Sequence, residues 1–253
     1  MSDAPLLVEL ADGVLTLTLH RPEKRNALSV PMVAALHDAL ERADLDAGVR
    51  AVALRGAGKD FCAGADLAEL LASADRTPAE NEADALRLGE VFGRIRRLPK
   101  PVVAVVHGRA LAGGAGLATA CDLVLAAESA QFGYPEIQRG FVPAMVMTIL
   151  RRLAGEKLAF DLVATGRVLP AAEALAAGLV SRVVPDGSLD ADAGALLGAL
   201  ASGAPSALAM TKRLFYGLDG LSFDEGIAAG ARVNALARST PDFRTAIAAF
   251  LHK

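Results

Sequence analysis

Two small-residue turns, each placed between a strand-like apolar run and a helix start, restrict this chain more than any other feature. The first, Phe61-Cys-Ala-Gly-Ala-Asp66, comes after the run Ala51-Val-Ala-Leu54. The second, Gly108-Arg-Ala-Leu-Ala-Gly-Gly-Ala-Gly-Leu-Ala-Thr-Ala-Cys-Asp122, comes after Val102-Val-Ala-Val-Val106. Glycine and alanine let a ligand approach the main chain closely, and a helix start leaves backbone N–H groups unpaired. Two such nests predict a pair of donors aimed at developing negative charge, an oxyanion hole.

Around these turns the first half of the chain alternates strand and helix patterns. Leu15, Leu17 and Leu19 alternate with Thr16 and Thr18, which predicts a strand with one buried face, and Met32, Leu36, Leu40 and Ala43 recur at helical spacing after Pro31. Strands are expected again near 49–55, 102–106 and 123–127. Leu88, Val91, Phe92 and Ile95 define a further amphipathic helix that Pro99 and Pro101 bring to a stop. From Pro143 onward the pattern is mainly helical. A helix is expected over Ala171–Ala177, a short strand over Leu179–Val184, and alanine-rich helices after Ser188. The charged stretch Ser73–Glu82, which contains Pro78, reads as a loop. This is α/β organisation, and pattern alone permits a doubly wound sheet.

A third segment, Gln131-Phe-Gly-Tyr-Pro-Glu136, follows the strand-like Leu123–Ala127 and sets a carboxylate beside an aromatic and a proline. In this order the three segments resemble the crotonase superfamily, the enoyl-CoA hydratase and isomerase family. The resemblance runs from Arg21-Pro-Glu-Lys-Arg-Asn-Ala-Leu28 to Ser239-Thr-Pro-Asp-Phe-Arg-Thr-Ala-Ile-Ala-Ala-Phe250. It implies a crotonase-like α/β fold, a spiral of ββα turns with a C-terminal helical region. Residues 1–195 would form the core with an acyl-CoA site and 196–253 the helices for oligomerisation, as a homotrimer or a dimer of trimers.

The resemblance also assigns roles. A thioester carbonyl would sit between the N–H groups of Ala65 and Gly113, and Glu136, next to Pro135, would be the acid–base carboxylate. A carboxyl enclosed by apolar surface has its pKa raised, which suits a group that accepts and returns a proton. Hydratases of the family carry a second glutamate three positions beyond the oxyanion glycine; this chain has Gly116 there. The single-glutamate pattern is similar to the Δ3,Δ2-enoyl-CoA isomerase branch, with hydration through a compensating acid such as Glu69 as the alternative. Ala144-Met-Val-Met-Thr148 also replaces a glycine-rich stretch usual in hydratases. For the coenzyme A portion of the substrate the matched segments imply Lys24, Arg25 and Ala27 on one side and Ala63, Asp66 and Leu67 on the other, with Lys212 and Phe250 reaching a neighbouring subunit's site. Asp66, placed after such a turn, reads more readily as a helix cap than as a substrate contact. No separate cofactor and no metal are expected.

Composition narrows the setting. With 253 residues and 53% apolar content the chain can bury a substantial core without staples. Cys62 and Cys121 form no disulfide framework or metal spacing, and His20, His37, His107 and His252 have no partner spacing, which points to a reducing, cytoplasmic setting and structural or exposed histidines. Met1–Pro5 lacks the features of a signal peptide, and apolar runs break well before ~18 residues, so no membrane association is expected. A net charge of −3 argues against nucleic acid, and the cluster Arg94, Arg96, Arg97 and Lys100 reads as a helix C-terminus. Two competing readings remain: a dinucleotide-binding oxidoreductase, because Gly113–Gly116 after a strand with Glu128 downstream mimics a Rossmann loop, and a non-catalytic acyl-CoA-binding protein on the same fold.

Overall fold

The computed structural model describes residues 4–252; Met1–Asp3, part of the segment read for a signal peptide, lie outside the described residues, as does Lys253. The chain starts as a hairpin in which β1 (Leu6–Ala11) pairs antiparallel with β2 (Val14–Leu19), Leu6 opposite Leu19 and Ala11 opposite Val14. Asp12 and Gly13 both take positive φ and close it, the backbone that a two-residue turn with the right twist requires. Along β2 the three leucines point inward and the threonines outward, as their alternation predicts.

Three ββα turns follow. The first, reached through α1 (Val30–Leu45), is β3 (Ala51–Gly56), the bridged segment at Cys62, α2 (Leu67–Ala72) and α3 (Pro78–Arg97). The second is β4 (Val102–Val106), β5 (Arg109–Leu111) and α4 (Gly113–Ala120). The third is β6 (Leu123–Ala127), β7 (Gln131–Gly133), a 3-10 turn over Pro135–Arg139 and α5 (Ala144–Thr165). A short β8 (Val168–Pro170), α6 (Ala171–Ala176) and β9 (Arg182–Val184) lead to α7 (Leu189–Ser202), α8 (Pro205–Gly217), α9 (Phe223–Ala237) and α10 (Pro241–Leu251).

Each turn gives one strand to a six-stranded sheet of order β1-β2-β3-β4-β6-β9, parallel from β2 onward. Each also gives a short segment to a second layer, in which β7 pairs with β5 and β8 while single bridges join Cys62 to Ala110 and Leu28 to Ala65. This spiral corrects the doubly wound alternative. The Gly113 turn follows β5 of the small layer, not a strand of the parallel sheet, so the Rossmann reading fails on topology.

β4 is buried throughout and β6 nearly so, because sheet strands packed on both faces read as continuous apolar runs. The expected loop over Ser73–Glu82 is only partly a loop. Thr77 accepts from Glu80 N–H while the Glu80 carboxylate accepts from Thr77 N–H, a capping box that starts α3 at Pro78. α7 is continuous across 195 and 196 and packs on β2, β3, β4 and β6; the chain leaves the core after it, at Gly203. Among the described residues no single helix is long and apolar enough to cross a membrane.

Two of the cations clustered at the end of α3 pack against neighbouring elements, while Arg97 is exposed there. Arg96 stacks 4.1 Å from the centre of the Tyr216 ring, and Lys100 Nζ donates to the Ala43 carbonyl at the end of α1. Lys212 does not reach outward, contrary to the expectation that it serves a neighbouring subunit. Its Nζ is turned into its own chain, donating to the carbonyls of Ile95 and Lys100 at 2.8 and 2.9 Å and to Asp122 Oδ2 at 2.6 Å. Phe250 is exposed on α10.

Candidate active site

The first small-residue turn is held by a side chain the sequence reading passed over. Asn26 is fully buried in left-handed backbone at φ +54, and its Nδ2 donates to the carbonyls of Ala57 and Asp60 at 2.8 Å and of Phe61 at 3.2 Å. Arg21 N–H donates to Asn26 Oδ1. Phe61 and Cys62 N–H then donate to His107 and Arg109, and Leu111 N–H donates back to Cys62. The two turns therefore lie edge to edge.

Bond direction sets what Ala65 presents. Leu28 N–H donates to Gly64 and Asp66 N–H donates to Leu28, so the intervening Ala65 N–H points away from that strand. Gly64 has φ +99, and a Cβ on it would stand 2.7 Å from Ala112 Cβ; glycine alone allows this approach. Ala112 itself sits at φ 53, ψ −128, a costly conformation that turns the chain sharply into α4 and exposes Gly113 as the first helical residue. A Cβ position on Gly113 lies 4.0 Å from Ala65 N, and Gly113 N lies 3.5 Å from a Cβ position on Gly64. Among the described residues neither N–H has a protein acceptor. Leu28 and Leu88 line the space beside Gly113.

The third segment joins the same place. Ala112 N–H donates to Gly133, which precedes Tyr134, Pro135 and Glu136. The 3-10 turn over Pro135–Arg139 buries Pro135 and Glu136, and among the described residues Glu136 Oε2 has no hydrogen-bond partner. Burial raises the Glu136 carboxyl above the ordinary carboxylate range, against smaller lowering by its own backbone N–H and by Arg139. The Tyr134 side chain is buried, and desolvation, opposed by the Thr119 hydroxyl and helped by the nearby Glu136 charge, holds its pKa high.

The residues expected around coenzyme A divide. Lys24 and Arg25 are exposed, Ala63 N–H donates to Arg25, and Ala27 is buried close by, so the segments 24–27 and 63–67 do come together. Leu67 is exposed. Asp66 is a cap: Oδ1 accepts from Ala68 N–H at 3.0 Å and Oδ2 from Arg21 at 3.0 Å, and the Arg21 hydrogen bond holds its pKa below the ordinary value. Glu69, the candidate compensating acid, is exposed, and its Oε2 accepts from Val30 N–H at 2.8 Å at the start of α1. Gly116 is buried, with Val146 against it. Among the described residues no group of three or more His, Cys, Asp or Glu is placed to hold a metal.

Fold and site define an enzyme of crotonase architecture. The chain superposes on a solved enoyl-CoA hydratase from Mycobacterium smegmatis with a TM-score of 0.94 and 37% identity, over 98% of this chain and 96% of that one. An enoyl-CoA hydratase from Bacillus anthracis gives a TM-score of 0.92 at 32% identity, over 98% and 96%. In sequence, a Thermus thermophilus protein named as an enoyl-CoA hydratase is 46% identical over 98% of both chains. The 2,3-dehydroadipyl-CoA hydratase of Escherichia coli is 35% identical over 98% of this chain and 96% of its own length. The enoyl-CoA hydratase/isomerase family profile matches residues 9–253, and the chain belongs to that family.

Proposed function

We propose that this enzyme moves the double bond of a 3-enoyl-CoA thioester to the 2 position by a one-carboxylate proton shuttle. Glu136 takes a proton from C2, the electrons spread into an enolate whose oxygen accepts from Ala65 and Gly113 N–H, and Glu136 returns the proton at C4. Atoms and charge balance without a cofactor beyond the coenzyme A carried by the substrate. The helix start at Gly113 adds its dipole to the donor, and loss of one such donor typically costs roughly 3–4 kcal/mol of barrier stabilisation.

The observation that carries this reading is the Glu136 carboxylate, buried with one oxygen free of hydrogen bonds and its pKa raised, while position 116 has no side chain and Glu69 is bound to α1. A retained, poised carboxylate also favours catalysis over mere acyl-CoA binding. Lys24, Arg25, Ala27, Ala63, Asp66, Leu67 and Pro135 would frame the coenzyme A and thioester. The exposed apolar residues of α8–α10, including Phe215, Phe223, Ile227 and Phe250, support assembly as a trimer or a dimer of trimers.

Hydration is the second reading, favoured by the names of the relatives. Assays of 3-enoyl-CoA and 2-enoyl-CoA substrates side by side separate the two. Isomerisation should dominate and should fall by roughly 10²–10⁴-fold in Glu136→Gln with little change in ester affinity. Fast hydration that survives Glu136→Gln would overturn the shuttle.

A further inference from the structure

We propose that Val146 is the residue that keeps this active site to a single carboxylate, by filling the volume a side chain at position 116 would need. The inference rests on the single-carboxylate reading above and names what enforces it.

Gly116 lies three residues beyond Gly113 in α4, one turn from the N–H that faces the thioester oxygen in that reading. At i+3 it shares a helix face with Gly113, so a longer side chain there would stand beside that N–H. A Cβ at Gly116 would stand 2.3 Å from Val146 Cγ1, 3.2 Å from Val146 Cβ and 3.2 Å from Phe92 Cζ. Non-bonded carbons come to rest about 3.5–4.0 Å apart, so the first of these contacts demands displacement of a side chain and not a small adjustment.

The obstructing side chain is buried and stiff. Val146 occupies the first turn of α5 and is 3% exposed, and Phe92 of α3 is 4% exposed. Valine is branched at Cβ, so in a helix its χ1 is nearly fixed and it cannot swing aside as an unbranched residue would. Ile149 and Leu150, one turn further on, bury the same face of α5, which ties its position to the core. Gly116 and Val146 therefore form a matched pair. Enlarging the first requires shrinking the second.

The chemical consequence follows from counting protons. Isomerisation removes one proton from carbon and returns one to carbon, which a single carboxylate completes. Adding water takes a proton from oxygen while another is delivered to carbon, and a second acid–base group lets both transfers proceed around one water. By excluding that group from α4, Val146 biases the site toward the shuttle.

A double-mutant cycle tests the packing directly. Gly116→Ala should lower the melting temperature of the parent by about 5 °C or more, and that of Val146→Ala by less than half as much, because the Cγ1 clash is then gone. Additive shifts would overturn the proposal, whatever reaction the enzyme performs. The second arm uses Gly116→Glu combined with Val146→Gly. The ratio of 2-enoyl-CoA hydration to 3-enoyl-CoA isomerisation should rise at least about tenfold over the parent, a change of about 1.4 kcal/mol in relative barrier. An unchanged ratio in a double variant that still binds a saturated acyl-CoA would also overturn it. Parent enzyme that hydrates faster than it isomerises would defeat the functional reading and leave the melting cycle interpretable.

Discussion

Lys212 Nζ lies 2.6 Å from Asp122 Oδ2 across the seam between α8 and the start of β6, and this pair fastens the C-terminal helices to the core. Asp122 also accepts from Val102 N–H at 2.7 Å and from Tyr216 at 2.9 Å. Burial pushes the Asp122 carboxyl up and the Lys212 ammonium down, each opposed chiefly by the other's charge. Removing one partner strands the other, so Lys212→Met should cost about 3 kcal/mol, and the double variant with Asp122→Asn less than the two single losses added together. Urea unfolding of the four proteins measures this; strictly additive losses would mean the pair does not couple.

Asn26 performs the corresponding task for the first turn. Asn26→Ala removes the donor from the carbonyls of Ala57, Asp60 and Phe61 and places alanine at φ +54. Each buried carbonyl left unsatisfied costs about 1–3 kcal/mol, so a loss of about 3 kcal/mol or more is expected on denaturation. Turnover should fall as well, because the carbonyls of Asp60 and Phe61 that lose their donor belong to the segment leading into Ala65. A variant with parent stability would show that water replaces the amide.

The periodic elements were legible in the sequence, and the failures have physical causes. Continuous apolar runs marked β4 and β6, and alternation marked β2, because each is buried in the way its pattern implies. β1 escaped: of Leu6–Ala11 only Leu6 is buried, so the edge strand carries no alternation, although Asp12-Gly13 between two apolar runs signals the hairpin. β5, β7 and β8 have three residues each, too few for any period to show.

In the site, Ala65, Gly113 and Glu136 stood out because short motifs carry them, and the segments do converge. Asn26 did not, since the carbonyls to which its amide donates lie 31 to 35 residues away and no local pattern records them. Asp66 as a cap followed from its place before α2, whereas the fate of Glu69 depended on where α1 begins in space. Bulk at Val146 was visible in the sequence; that it closes on Gly116 is a fact of the α4–α5 contact.

Glu136→Gln should stabilise the protein at neutral pH while abolishing most turnover. Burial raises the folded-state pKa of Glu136 above its unfolded value. Deprotonation is then easier in the unfolded chain, so the parent loses stability as pH rises through the unfolded value and the full penalty persists above the folded one. Glutamine carries no charge at any pH. Its advantage in melting temperature should therefore be present at pH 8, shrink on acidification and vanish below the ordinary glutamate range. An advantage independent of pH would assign the effect to packing or hydrogen bonding instead.

Gly113→Ala separates folding from catalysis at the paired N–H groups. The nearest heavy atoms to a Cβ there are Leu28 Cδ1 at 3.5 Å and Leu88 Cδ2 at 3.7 Å, ordinary contact distances, and alanine suits the first turn of a helix better than glycine. Stability should hold within about 0.5 kcal/mol of the parent. The added methyl would nevertheless stand 4.0 Å from Ala65 N, crowding the space where an oxygen would have to lie about 2.9 Å from that nitrogen. Both N–H groups survive the substitution, so any loss reflects the methyl's intrusion and not a missing donor. Turnover should fall by roughly 10²-fold, the scale of losing one oxyanion contact, with melting unchanged. Parent-like turnover in Gly113→Ala would place the substrate oxygen elsewhere and remove the Ala65–Gly113 pair from the mechanism.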